Sequence, residues 1–150
     1  MNPRLSEALS QVPALLADHV LLSASALLLG LAVALPLAVG ASRNDRLRRI
    51  ALGGASLVQT IPGLALLALF YPLLLALNSL FAPIGVALPA LGFLPALLAL
   101  GLYAVLPILR NAVTGIVGID PAIIEAADGV GMTPRQKLRL VEAPLAAPVV

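Results

Sequence analysis

An all-α membrane protein is the fold class this sequence predicts, with about three transmembrane helices, a surface helix pair after them and the start of a fourth span. Three observations predict it. Hydrophobic residues make up 61% of the 150 and charged ones 11%, with a mean hydropathy of +1.07, a balance that cannot close a soluble core beneath a polar surface. Two long stretches, 20–41 and 50–109, carry no charge at all. Seven of the sixteen Asp, Glu, Lys and Arg residues then fall between Asp120 and Glu142. The absence of cysteine removes disulfides, thiolate metal sites and thiol catalysis. The pI of about 9.7 goes with a formal charge of only +2, and the arginines sit beside apolar runs, so the charge orients a membrane protein and no nucleic-acid partner is expected.

A helix needs about 20 apolar residues to cross the hydrocarbon. The first uncharged stretch is therefore one span and the second at least two, with the break around Asn78-Ser79 and Pro83-Ile84-Gly85. The spans are placed near 20–41, 54–77 and 88–109. Arg43, Arg46, Arg48, Arg49, Arg110, Arg135, Lys137 and Arg139 fall on one side of this layout and Arg4 alone on the other, which places the N-terminus outside and the segment 120–144 in the cytoplasm. A cleaved signal peptide is a poor reading of the first span, because Glu7 and Asp18 precede it and the Arg cluster follows it. The run Arg43–Arg49 reads as a solvated loop touching anionic lipid, and His19, beside Asp18, as an interfacial boundary residue with no acid–base partner evident.

The charged segment reads as two short helices. Asp120 before Pro121 is an N-cap followed by the residue preset for a first turn. Ile123, Ala126, Ala127 and Val130 then recur at helical spacing as an apolar stripe, with Glu125 and Asp128 on another face. The helix should end near Gly129-Val130-Gly131, and Thr133-Pro134-Arg135-Gln136 has the spacing of a capping box that starts the next. Seven charges at mid-bilayer would cost roughly 20 kcal/mol at about 3 kcal/mol each, so the pair lies at the membrane surface.

Within the spans, Gln59 and Thr60 precede Pro62, whose ring removes a helix hydrogen bond. They are either helix-to-helix hydrogen bonds or, with Pro62, a possible lining of a translocation path. Pro107, Arg110 and Asn111 read as an anchor at the end of the third span. Gly30, Ala34, Gly63 and Gly101 are expected to allow close helix packing.

The residues themselves leave the helix pair open as a plain surface hairpin or as a docking element for a soluble partner; a lipid-bound helix fits less well, since its acidic face would be repelled by anionic lipid. A resemblance bears on this choice. Glu125-Ala126-Ala127, three residues, Gly131, nine residues and Val141-Glu142-Ala143-Pro144 resemble the EAA loop of bacterial ABC importer permeases, with Val141 for Ile and Ala143 for Leu as departures. The segments 59–68, 102–111 and Gly131-Met132-Thr133 are similar to signatures of the osmoprotectant branch of that family, which serves glycine betaine, choline and carnitine. The resemblance implies an inner-membrane permease subunit whose loop 121–142 couples a cytoplasmic ABC ATPase to translocation. On this basis Glu125, Ala126, Ala127, Asp128, Gly131 and Met132 are the coupling residues. It also implies an extracytoplasmic substrate-binding protein and a like permease subunit as homo- or heterodimer partner. No phosphate loop or metal-binding spacing occurs in the sequence, so no cofactor is expected, and ATP would be bound by the partner ATPase. The chain is expected to be a truncated permease, since only eight uncharged residues run from Ala143 to Val150. The alternative is a small membrane scaffold or regulator with a docking hairpin and no transport.

Overall fold

A computed structural model describes residues 3–85 and 87–150. These form helices α1 (Pro3–Arg43), α2 (Asp45–Thr60), α3 (Gly63–Phe81), α4 (Phe93–Val117), α5 (Pro121–Gly129), α6 (Pro134–Lys137) and α7 (Ala143–Ala146). Single 3-10 turns cover Ala82–Ile84 and Ala147–Val149, and a π-helical turn covers Leu138–Glu142. No strand occurs among the described residues. Among the described residues three helices, α1, α3 and α4, are long and apolar enough to cross a membrane. The 19 residues of α3 rise about 28 Å at 1.5 Å each, close to the hydrocarbon thickness of about 30 Å. Leu64, Leu69, Leu73 and Leu80 on α3 are exposed, an open apolar surface that suits lipid rather than water.

The boundaries differ from those expected at four places, each with a local cause. The helix expected over 20–41 starts at Pro3, because the preceding residues are rich in Leu and Ala and extend the same helix. The expected loop 43–49 shrinks to Asn44. Its Oδ1 accepts from the backbone N–H groups of Arg46 and Leu47 at 2.9 and 3.1 Å, so Asn44 is the N-cap of α2 and the arginines lie on helix. The span expected over 54–77 is interrupted at Ile61-Pro62. A proline disfavours helical backbone in the residue before it, and Pro62 itself is extended at ψ 139, so α2 ends at Thr60 and α3 starts afresh. Finally, Asn78-Ser79 lies inside α3, and the break falls later. Asn78 acts as a clamp: its side chain donates to the Leu88 carbonyl at 2.7 Å and accepts from the Leu88 N–H at 2.6 Å. Glycines at positive φ, Gly85 and Gly92, turn the chain between α3 and α4, which begins at Phe93 rather than near residue 88 and continues past Arg110 and Asn111 to Val117.

The chain divides into two compact units. The first comprises Met1–Leu29 and Ile61–Gly101. In it Ala26, Leu66, Leu74 and Ala99 are buried, and Gly101 meets Leu29 so closely that an added Cβ would lie 2.7 Å from the Leu29 side chain. Gly30 and Ala34 are buried as expected of packing positions, but Gly63, the first residue of α3, is exposed.

The second unit comprises Gly30–Thr60 and Leu102–Val150. Its core sets Ala34, Ala38 and Ala41 of α1 against Val105, Ile108, Leu109, Ala112 and Val113 of α4. The alanine spacing places all three on one face of α1, and with methyl side chains the two backbones approach closely, which is how helices gain dispersion contacts where the hydrophobic effect does not operate. Farther along α4, Gly115 lies against α7, where an added Cβ would sit 3.0 Å from the Ala146 Cβ and 3.1 Å from its carbonyl oxygen.

Candidate coupling site

The segment 120–146 is built by capping. Asp120 accepts from the Ala122 N–H at 2.9 Å, satisfying one of the unpaired donors at the start of α5, and Pro121 supplies the first turn. The helix ends in a Schellman arrangement: the Met132 N–H donates to the Ala127 carbonyl at 3.1 Å and the Gly131 N–H to the Asp128 carbonyl at 3.0 Å. Gly131 adopts φ +78 there, which costs a side-chain-bearing residue roughly 1–2 kcal/mol. Thr133 and Gln136 close the expected capping box, with the Thr133 N–H donating to Gln136 Oε1 at 2.9 Å and the Gln136 N–H to Thr133 Oγ1 at 3.4 Å. An ion pair also spans the elbow, where Lys137 Nζ lies 2.7 and 2.9 Å from the two carboxylate oxygens of Asp128.

Of the six residues expected to couple, Glu125 and Ala126 are exposed, Ala127 is buried, Gly131 is exposed and Met132 half-buried. Asp128 is exposed as well, and Lys137, one turn into the next helix, pairs with its carboxylate while the Asp128 side chain stays 55% exposed. The apolar stripe is mostly uncovered: Ile123 and Val130 are 42% and 74% exposed, and Ala127 is its buried member.

Beyond the elbow, α6 passes into the π-helical turn Leu138–Glu142, whose hallmark is the Ala143 N–H donating to the Leu138 carbonyl five residues back. Pro144 explains the widening. Its ring would press on the carbonyl of Leu140 in α geometry and it has no N–H to offer, and an expanded turn gives that carbonyl room. Glu142 closes the widened turn. Counted in sequence with the surface charges, it is instead fully buried, and Arg43 Nη2, at the end of α1, donates to its Oε2. The other oxygen, Oε1, is buried with no hydrogen-bond partner among the described residues. Burying a carboxylate costs several kcal/mol by order of magnitude unless a cation answers it, and Arg43 does so while remaining 47% exposed itself.

Gln59, Thr60 and Pro62 lie at the junction of α2 and α3 rather than at this elbow. Gln59 Nε2 donates to the Tyr103 carbonyl of α4 at 2.9 Å. That carbonyl would ordinarily be taken by the residue four positions on, which is Pro107, a residue without an N–H. Gln59 therefore supplies from α2 the donor that α4 lacks. Thr60 Oγ1 donates back to the Leu57 carbonyl at 2.7 Å, and the Pro62 carbonyl accepts from the Leu66 N–H at 2.9 Å. Sequence reasoning had no local signal for Gln59–Tyr103 or Arg43–Glu142, whose partners are 44 and 99 residues apart. Asp128–Lys137 had one, in opposite charges on either side of a recognisable elbow.

Residues 26–150 match the family described as binding-protein-dependent transport system inner membrane component. The choline transport system permease protein OpuBB of Bacillus subtilis is 42% identical over 133 residues, covering 89% of this chain and 54% of that protein. The glycine betaine/carnitine/choline transport system permease protein OpuCB of the same organism is 41% identical, covering 89% and 54%. The osmoprotectant import permease protein OsmW of Salmonella typhimurium is 41% identical, covering 89% and 57%. The chain thus spans about half the length of the curated relatives it matches. It is an all-α integral membrane protein and belongs to the family of binding-protein-dependent transport system inner membrane components.

Proposed function

We propose that the chain acts as a membrane subunit of an ATP-driven importer for osmoprotectants such as glycine betaine, choline or carnitine. In this reading the elbow of α5 and α6 docks into a cytoplasmic ABC ATPase and passes its motion to the spanning helices. The observation that carries it is the uncovered stripe on a rigidly capped elbow: Ile123, Ala126 and Val130 are exposed beside Glu125, while both helix ends are closed by Asp120, Gly131 and Thr133. A short helix held at fixed pitch, with small and apolar residues outward and a charge at their edge, is suited to seating in a groove of a soluble partner. Ala126 lets the partner approach the backbone, and Glu125 offers it an anionic contact.

The distribution of basic residues supports an outside N-terminus and a cytoplasmic elbow in a bacterial inner membrane. The remaining machinery would be a like permease subunit, homo- or heterodimeric, and an extracytoplasmic substrate-binding protein, with ATP held by the ATPase and no cofactor in this chain. Gln59, Thr60 and Pro62, at the α2–α3 junction, would line part of the translocation path. Co-purification of the ATPase from detergent tests the docking. Glu125→Lys should lower ATPase recovery by at least about tenfold, the scale of losing a charged anchor at a protein interface. Gly131→Pro, which cannot adopt φ +78, should do the same while membrane insertion persists. Parental recovery with both variants would overturn the reading.

A further inference from the structure

The buried Glu142 lies outside the docking elbow, yet a chain of contacts joins the two. Asp128 on α5 holds Lys137 on α6, α6 runs without interruption into the π turn ending at Glu142, and Glu142 holds Arg43 at the end of α1. The last turns of α1 are in turn packed on α4 through Ala34, Ala38 and Ala41. Every link lies within the second unit. The Glu142 link is made with one guanidinium nitrogen and one carboxylate oxygen, although Arg carries five N–H donors in a planar fork that matches both oxygens of a carboxylate. The unused oxygen is the buried Oε1 that no described residue satisfies. A single bond with a second acceptor on the same carboxylate leaves a forked pairing open as a second setting, and coupling along such a network needs elements with two discrete arrangements.

We propose that Arg43 and Glu142 are positioning residues that transmit displacement of the elbow to α1 by passing between the one-bonded and the forked pairing. This rests on the reading that the elbow docks an ATPase. Lysine at position 43 keeps the cation but puts a single nitrogen where the planar fork needs two, and so cannot reproduce it. Glu142→Gln keeps the volume and one accepting oxygen and also forbids it. The native sequence has no cysteine, so spin labels can be placed at Val33→Cys in α1 and Leu73→Cys in α3, both exposed positions, in the intact importer with its ATPase.

The inter-label distance is compared without nucleotide and with ATP plus vanadate. The importer with native Arg43 and Glu142 should show a shift of about 2 Å or more, the scale of helix movements in switching proteins. Arg43→Lys and Glu142→Gln should each at least halve the shift while ATPase co-purification stays within about twofold of parental, since the network is altered and the docking face is not. A purely structural pair would lower yield or ATPase recovery and leave no selective loss of the shift. A full shift in both variants, or none in an importer that does bind its ATPase, overturns the proposal. Failure of the parental chain to recover the ATPase at all instead overturns the docking reading, and the inference with it.

Discussion

Two prolines create the same defect in this molecule and are answered in different ways. Pro107 in α4 leaves the Tyr103 carbonyl without its usual donor, and Gln59 of α2 fills the gap from outside the helix. Pro144, near the end of the chain's last helical run, is met from within, by a turn widened to π geometry over Leu138–Glu142. The first remedy leaves the helix regular and ties two helices together. The second changes the direction of the side chains in the widened turn, and Glu142, at its end, is buried against Arg43. A helix-breaking residue in a membrane protein thus serves as a joint between elements in one case and as a means of aiming a charge inward in the other.

Breaking the second remedy should cost most. Arg43→Ala leaves the Glu142 carboxylate buried and unanswered. A loss of about 2–3 kcal/mol in detergent unfolding is expected, below the range for a fully buried pair because Arg43 is half exposed. Adding Glu142→Leu should recover most of it, since an apolar replacement removes the charge that needed answering. Next in size is Gly115→Ala, which would place a methyl 3.1 Å from the Ala146 carbonyl oxygen and require α7 to give by a few tenths of an ångström, at a cost of about 1–3 kcal/mol by the same assay.

The first remedy should prove weaker and strictly conditional on its proline. Gln59→Leu is expected to cost about 1 kcal/mol, the scale of interhelical hydrogen bonds within membranes. Combined with Pro107→Ala, which gives α4 its own N–H donor for Tyr103, the Gln59→Leu penalty should vanish; a penalty that is unchanged in the double variant would contradict the role assigned to Gln59. Smallest is Lys137→Ala. The ion pair with Asp128, whose side chain is 55% exposed, should contribute about 0.5 kcal/mol or less, and the loss should shrink further in high salt.

These regions also differ in how far they could be read from sequence. Asp120, Gly131 and the Thr133–Gln136 box are legible because a cap is written within four or five consecutive residues and closed by bonds just as local. The all-α membrane class is legible for a similar reason, since it depends on summed composition. Asn44 and Asn78 show where this stops. Asn44 stands among the charges of the run 43–49 and Asn78 in an apolar stretch, but whether an Asn caps a helix, breaks one or clamps a distant loop depends on which backbone groups come within reach of its side chain. Asn44 starts α2, while Asn78 stays within α3 and holds Leu88. Glu142 is the extreme case. Its charge alone does not distinguish it from the exposed Glu125, and its burial follows from a cation 99 residues away as well as from a helix widened by the proline two positions on.

The direct test of the elbow's role is cross-linking from single cysteines in a chain that has none of its own. Ala126→Cys, exposed on α5, should cross-link to the ATPase in membranes containing the intact importer. Ala127→Cys, next to it but 5% exposed, should cross-link at least about tenfold less, as expected where one residue seats in a partner and its neighbour packs inward. Equal cross-linking at the two positions, or none at Ala126→Cys while the importer remains active, would contradict docking through this face.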